Sequence, residues 1–96
     1  MLRFKRIKVG RRYIQAYCIN LLAKNLVLLI GSRGYIMCGY LNLKVAEKCK
    51  DVAIKITGVS SIQEALKAKV HSSTSVAQRL GMVKGKPIKE ILKEVV

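Results

Sequence analysis

Six cations crowd the first twelve residues: Arg3, Lys5, Arg6, Lys8, Arg11 and Arg12, with Phe4 and Tyr13 among them. Surface cations contact phosphates regardless of sequence, and aromatic faces stack on unpaired bases. This arm is therefore a candidate footprint for nucleic acid or another anion. Arg33 carries the basic set into the middle of the chain, and Lys84 and Lys86 carry it further. The last two sit in Gly81-Met82-Val83-Lys84-Gly85-Lys86-Pro87, one residue short of the G-x-x-x-x-G-K-[ST] phosphate loop, with proline where the magnesium-binding hydroxyl belongs. Nucleotide hydrolysis by that route is excluded. Two readings remain: a phosphate or sulfate held by Lys84 and Lys86 beside a helix N-terminus, or a solvated basic loop.

Cys38 is the one candidate nucleophile. It lies beside Gly39 in a cation-rich half of the chain, where a partly exposed thiol would ionise and attack more readily. Its competing role is that of a small buried hydrophobe. His71 is the single histidine, so neither a zinc site nor a Ser-His-Asp triad is expected in one subunit. Five scattered acidic residues leave paired-carboxylate chemistry equally hard to assemble, although sites shared between subunits stay open. No metal and no cofactor is expected. Gly31-Ser32-Arg33-Gly34 has the G-x-x-G spelling of the KH loop that clamps nucleic acid, but that loop joins helices and both flanks here read as strands.

These residues need elements to hold them. Leu26–Ile30 is a continuous apolar run, read as a strand buried on both faces. Tyr35–Leu41 follows as a second strand, with Tyr35, Met37, Gly39 and Leu41 on one face and Ile36, Cys38 and Tyr40 on the other. Gly31 and Gly34 are expected to supply positive φ to the hairpin turn between them. Gly39 inside a strand suggests a bulge or a close approach by another backbone or a ligand. Before this hairpin, residues 2–9 alternate with a phase slip that suggests a bulge near Lys5-Arg6. Gly10-Arg11-Arg12 is a turn and Tyr13–Leu21 another strand, so the first four elements form a β-meander.

Asn42 caps a helix over 43–50, with Leu43, Val45, Ala46 and Cys49 as its expected buried residues. Val52–Thr57 is a strand, and Ser60 and Ser61 open a helix over 62–68 through a capping box. Val70-His71 is a short strand. Ser73 or Thr74 caps a helix with apolar Val76, Ala77 and Leu80 that stops at Gly81. Pro87 stands at the first helical position of a terminal helix whose buried stripe is Ile88, Ile91, Leu92 and Val95. The fold class is α+β: an N-terminal antiparallel meander, then alternating helices and strands packed on the sheet.

Gly-Tyr-Ile-Met-Cys-Gly-Tyr-Leu-Asn at 34–42 resembles the signature of the DUF1805 (YunC-like) family of bacterial and archaeal proteins. Ala46-Glu47-Lys48, Asp51-Val52-Ala53, Gly58-Val59, Ala68-Lys69-Val70 and Leu80-Gly81 match at corresponding intervals. The resemblance runs from about residue 24 onward and implies no assigned activity and no established catalytic residue. It does imply a β-rich N-terminal part associated with tetramer formation.

Ninety-six residues make one domain, 1–96, divided into a β-rich oligomerisation part (1–41) and an α/β part (42–96). Hydrophobic residues make up 51% of the chain and aromatics 5%, which points to aliphatic surface buried between subunits. The net charge of +14, from 19 Lys+Arg against 5 Asp+Glu, favours an anionic partner or else a solvated basic surface. The first acidic residue is Glu47, so the N-terminal half has no internal counter-charge. Three cysteines without a C-x-x-C pair point to a reducing, cytoplasmic setting. Residues 3–23 imitate a secretory leader, but Gln15, Asn20 and Lys24 interrupt it and no cleavage is expected. No apolar stretch approaches the roughly 20 residues that span a bilayer.

The leading expectation is a cytoplasmic, homo-oligomeric, non-enzymatic domain that binds an anionic ligand. A nucleic-acid-binding module using the basic arm is the alternative, and a thiol enzyme with Cys38 as nucleophile the second alternative.

Overall fold

Alternation within residues 2–20 and an apolar run at 26–30 build three antiparallel strands. They are β1 (Leu2–Val9), β2 (Arg12–Asn20) and β3 (Asn25–Ile30). The structure, a computed structural model, describes residues 2–22, 24–38 and 42–96. A short β4 (Tyr35–Met37) completes the hairpin with β3, pairing Ile30 with Tyr35 and Leu28 with Met37. Helix α1 (Leu43–Lys48) leads to β5 (Ala53–Lys55), which lies parallel to β4. A parallel neighbour requires such a crossover. Then follow α2 (Ile62–Lys67), β6 (Ser72–Ser73), α3 (Ser75–Arg79) and α4 (Ile88–Val95). The six strands form one sheet in chain order, so the expected α+β meander-first architecture is the one observed.

The sheet has two unlike faces. The inner face presents Ile14, Ala16, Cys18, Val27, Leu29, Ile36 and Ile54, packed against Ala65 of α2 and Ile88, Ile91, Leu92 and Val95 of α4. All four apolar residues expected on the terminal helix are buried. On the outer face α1 covers the β4–β5 end, where Ala46 meets Met37 and Ala53 and half-buried Leu28 of β3 packs against them. Val45 and Cys49, expected in the core, are exposed, because a helix of six residues presents one narrow stripe to the sheet.

β1 carries no bulge. It pairs residue for residue with β2, from Leu2 with Ile19 to Val9 with Arg12. The phase slip marks a strand with apolar groups on both faces: Ile7 and Val9 pack against the inner core, while Leu2 and Phe4 emerge on the outer side. β3 likewise departs from expectation. Val27 and Leu29 are buried, whereas Leu26, Leu28 and Ile30 on the outer face are only half-buried. The short strand expected at Val70-His71 lies instead at Ser72–Ser73, paired with β5, and Val70 serves the core.

Helix ends follow local chemistry. Asn42, Ser61 and Thr74 accept hydrogen bonds from Lys44, Glu64 and Ala77 N–H groups. Pro87, expected inside α4, occupies the position just before it. Both α1 and α3 end in the same motif. At α3, Met82 N–H reaches the Ala77 carbonyl and Gly81 N–H the Gln78 carbonyl, with Gly81 at φ +91°. At α1, Asp51 N–H reaches Ala46 and Lys50 N–H reaches Glu47, with Lys50 holding the left-handed position at φ +59°.

Candidate functional site

The hairpin loop that spells G-x-x-G caps a helix. Arg33 N–H donates to the Val95 carbonyl at 2.9 Å and its guanidinium to the Lys93 carbonyl at 2.7 Å. Ser32 Oγ donates to the Val96 carbonyl at 2.6 Å, and Arg12 reaches the same oxygen at 3.4 Å. The last carbonyls of a helix lack partners within it and form the negative end of its dipole, so N–H groups and cations are the complementary partners. Neither Gly31 nor Gly34 has positive φ. Gly31 is needed because a Cβ there would lie 1.9 Å from the Val95 carbonyl oxygen, and Gly34 because it would meet the Val52 carbonyl at 2.6 Å. Two of the candidate anion-binding cations, Arg12 and Arg33, are thus directed at α4.

Lys84 and Lys86 are exposed on a loop whose backbone is tied to Val70, through Gly85 N–H to its carbonyl and its N–H to the Lys86 carbonyl. Lys86 shares a shallow cleft with Lys89 and Lys93, but Glu90 and Glu94 line it as well. Cys38 is 3% exposed, and its sulfur accepts from Val27 N–H at 3.4 Å in the inner core. Cys18 is buried too, while Cys49 is the exposed thiol. His71 is exposed, with Nδ1 3.2 Å from Ser72 Oγ.

The remaining cations divide by strand parity. Arg3 and Lys5 lie opposite Cys18 and Ala16 and so belong to the inner side. Arg6 and Lys8 lie opposite Gln15 and Tyr13, on the outer side. The outer side carries an exposed aromatic cluster: Phe4 sits 5.1 Å from Tyr17 between ring centroids, and the Arg6 guanidinium lies 4.4 Å above the Tyr13 ring. With Leu2 61% and Phe4 52% exposed, beside half-buried Ile19, Leu26 and Leu28, this is a continuous apolar surface.

On the inner side, Arg3 and Lys5 overlook a cleft of about 600 Å³ whose opposite wall is Asn25, Ser60, Ser61 and Gln63. No local sequence pattern marks that wall, because Ser60 and Ser61 read as helix caps. It is fixed by Asn25 Nδ2 donating to the Ser60 carbonyl at 2.8 Å and Asn20 Nδ2 to Asn25 Oδ1 at 2.9 Å. Glu64 accepts from both Ser60 N–H and Ser60 Oγ, and these bonds hold its carboxyl below the usual carboxylate range.

Two other acidic residues are engaged elsewhere. Glu47 accepts from the Ser75 hydroxyl and N–H, which lower its pKa with a smaller contribution from Arg79. Asp51 accepts from Tyr35 Oη at 2.8 Å. Burial first, then the bond to Asp51, push the Tyr35 phenol up to about 12, so it stays a neutral donor.

The pattern of a family described as a domain of unknown function, DUF1805, matches residues 37–95. The crystal structure of a protein of unknown function, TA1206 from Thermoplasma acidophilum, is similar to this chain at a TM-score of 0.96 and 30% identity. The match covers 100% of this chain and 94% of that one. No functionally curated protein matches the chain. Among the described residues, no helix is long and apolar enough to cross a membrane.

Proposed function

The chain belongs to the DUF1805 family, and from that premise we propose that it is a self-associating, non-enzymatic domain that binds an anionic ligand. The observation that carries the reading is the outer face of β1–β3, which among the described residues has no helix over most of its area. It presents Leu2, Phe4, Tyr17, Ile19 and Leu26 together, while α1 shelters the far end of the same sheet as far as Leu28. A surface of this kind on a small protein marks an interface. A second copy is the fitting occupant because the apolar rows hold no charge, and Arg6 and Lys8 lie beyond them toward one end of the strands. Two copies brought face to face with strands antiparallel would keep these cations apart.

Residues 1–41 thus assemble the particle and residues 42–96 buttress it. The family resemblance favours four chains. The setting is the cytoplasm, where Cys18, Cys38 and Cys49 remain thiols.

Light scattering on the eluting protein tests the assembly. A mass several times the 10.7 kDa of one chain is expected, falling to one chain for Phe4→Glu combined with Tyr17→Glu. A monomeric parent protein at micromolar concentration would refute it.

One observation favours a second reading. The Phe4–Tyr17 pair and the Arg6–Tyr13 stack would suit a platform for single-stranded bases. The basic arm is an integral strand, so point changes test this better than truncation. Arg6→Gln with Lys8→Gln would reduce the salt slope of RNA binding by about two, and an unchanged slope would dismiss it.

A further inference from the structure

The cleft on the inner side deepens the anion-binding part of that reading and rests on it. We infer that it binds a small phosphorylated molecule with a hydrogen-bonding body, of the nucleoside monophosphate class. The phosphoryl group would lie on Arg3 and Lys5, and the body against Asn25, Ser60 and Gln63.

Four features lead there. Arg3 and Lys5 are two apart on one strand, so both side chains leave β1 on the same side, over the same cavity. Among the described residues, no acidic one lines the cavity. Glu64, the carboxylate nearest in sequence to its far wall, is held on Ser60, and Glu47 and Asp51 are engaged with Ser75 and Tyr35. Two positive groups without a counter-charge complement a dianion better than a single carboxylate, and the arginine fork suits phosphate oxygens.

The opposite wall is neutral, polar and already fixed by the Asn20–Asn25–Ser60 hydrogen bonds, so a ligand would not have to order it. About 600 Å³ is the size of a small-molecule site. A nucleic-acid strand fits the cleft less well. Phe4 is among the residues that line it, but its ring, which could have stacked a base, is paired with Tyr17.

Isothermal titration of the intact protein with adenosine 5′-monophosphate, ribose 5-phosphate, inorganic phosphate and a uridine oligonucleotide tests the inference. One phosphorylated monomer per chain is expected to bind, and more tightly than inorganic phosphate. Arg3→Gln with Lys5→Gln is expected to weaken that binding by at least about tenfold. Arg6→Gln with Lys8→Gln removes the same charge from the other face of the same strand and should change it less than about twofold. Gln63→Ala, which leaves the charge intact, should weaken the monophosphate but not inorganic phosphate. Equal losses in the two double variants would mean diffuse attraction to a basic surface and overturn the cleft. Preference for the oligonucleotide would overturn it in favour of a polymer. Failure of every probe to bind would remove the anion-binding reading as well, whereas loss of self-association alone would leave the cleft standing.

Discussion

Gly31 and Val95 approach so closely that a single methyl group would not fit between them; a Cβ on the glycine would stand 1.9 Å from the Val95 carbonyl oxygen. The loop and the end of α4 are therefore fitted to each other backbone to backbone. Gly31→Ala is expected to destabilise the protein by about 2–3 kcal/mol, since neither partner is a flexible side chain that could move aside. Urea unfolding would measure the loss. A change below about 0.5 kcal/mol would mean that α4 shifts freely.

Thr74 gathers three backbone groups onto one hydroxyl. Its Oγ1 donates to the Asp51 carbonyl at 2.7 Å and accepts from Ala53 N–H at 3.3 Å and Ala77 N–H at 3.4 Å, at a buried position. Thr74→Val keeps the volume but strands those groups. A loss of about 2–3 kcal/mol is expected, readable in the same unfolding assay, with Thr74→Ser largely restoring stability.

The two helix stops invite an exchange experiment. Lys50 holds a left-handed conformation that Gly81 holds at the equivalent place after α3. Lys50→Gly is expected to stabilise by up to about 1 kcal/mol and Gly81→Ala to destabilise by about 1–2 kcal/mol, measured by thermal unfolding. Destabilisation by Lys50→Gly would show that the lysine side chain contributes more than its backbone costs.

Glu47 links α1 to the first turn of α3 through the Ser75 hydroxyl and N–H, with Arg79 nearby. Its folded-state pKa lies below the ordinary value, so the unfolded chain takes up the proton first as pH falls. Its contribution is complete above the usual carboxylate range and is lost as pH drops through the depressed folded value. Stability of the parent protein should therefore fall across that window, and Glu47→Gln should flatten part of the fall. A parallel curve for the variant would contradict the coupling.

How much of this was legible from the residues differs by element. The stripe Ile88, Ile91, Leu92 and Val95 announced α4, and alternation announced β2, because burial on one face writes its period into the sequence, while β3 showed as a continuous apolar run whose half-buried outer face that run does not reveal. The stop after α3 was visible in Gly81. The matching stop after α1 was not, since lysine gives no signal for a left-handed residue. Gly31 and Gly34 were recognised as a loop but assigned the wrong reason, because a glycine chosen for proximity reads like one chosen for φ. The cleft was less legible still. Its walls come from β1, from Cys18, Asn20 and Asn25 and from residues 60–63, which no local pattern connects, and Ser60 and Ser61 look like ordinary caps. Parity along β1 would have separated Arg3 and Lys5 from Arg6 and Lys8, had the strand not been read as bulged.

Sheet completion and helix capping lie at opposite ends of the polypeptide. A ribosome has delivered β1 through β4 by Met37, yet the groups that close over the inner face and receive Ser32 and Arg33 arrive only with residues 88–96. Until then much of the inner face lies open, and the arginines and lysines of β1 and β2, which are made ahead of Glu47, help to keep growing chains apart.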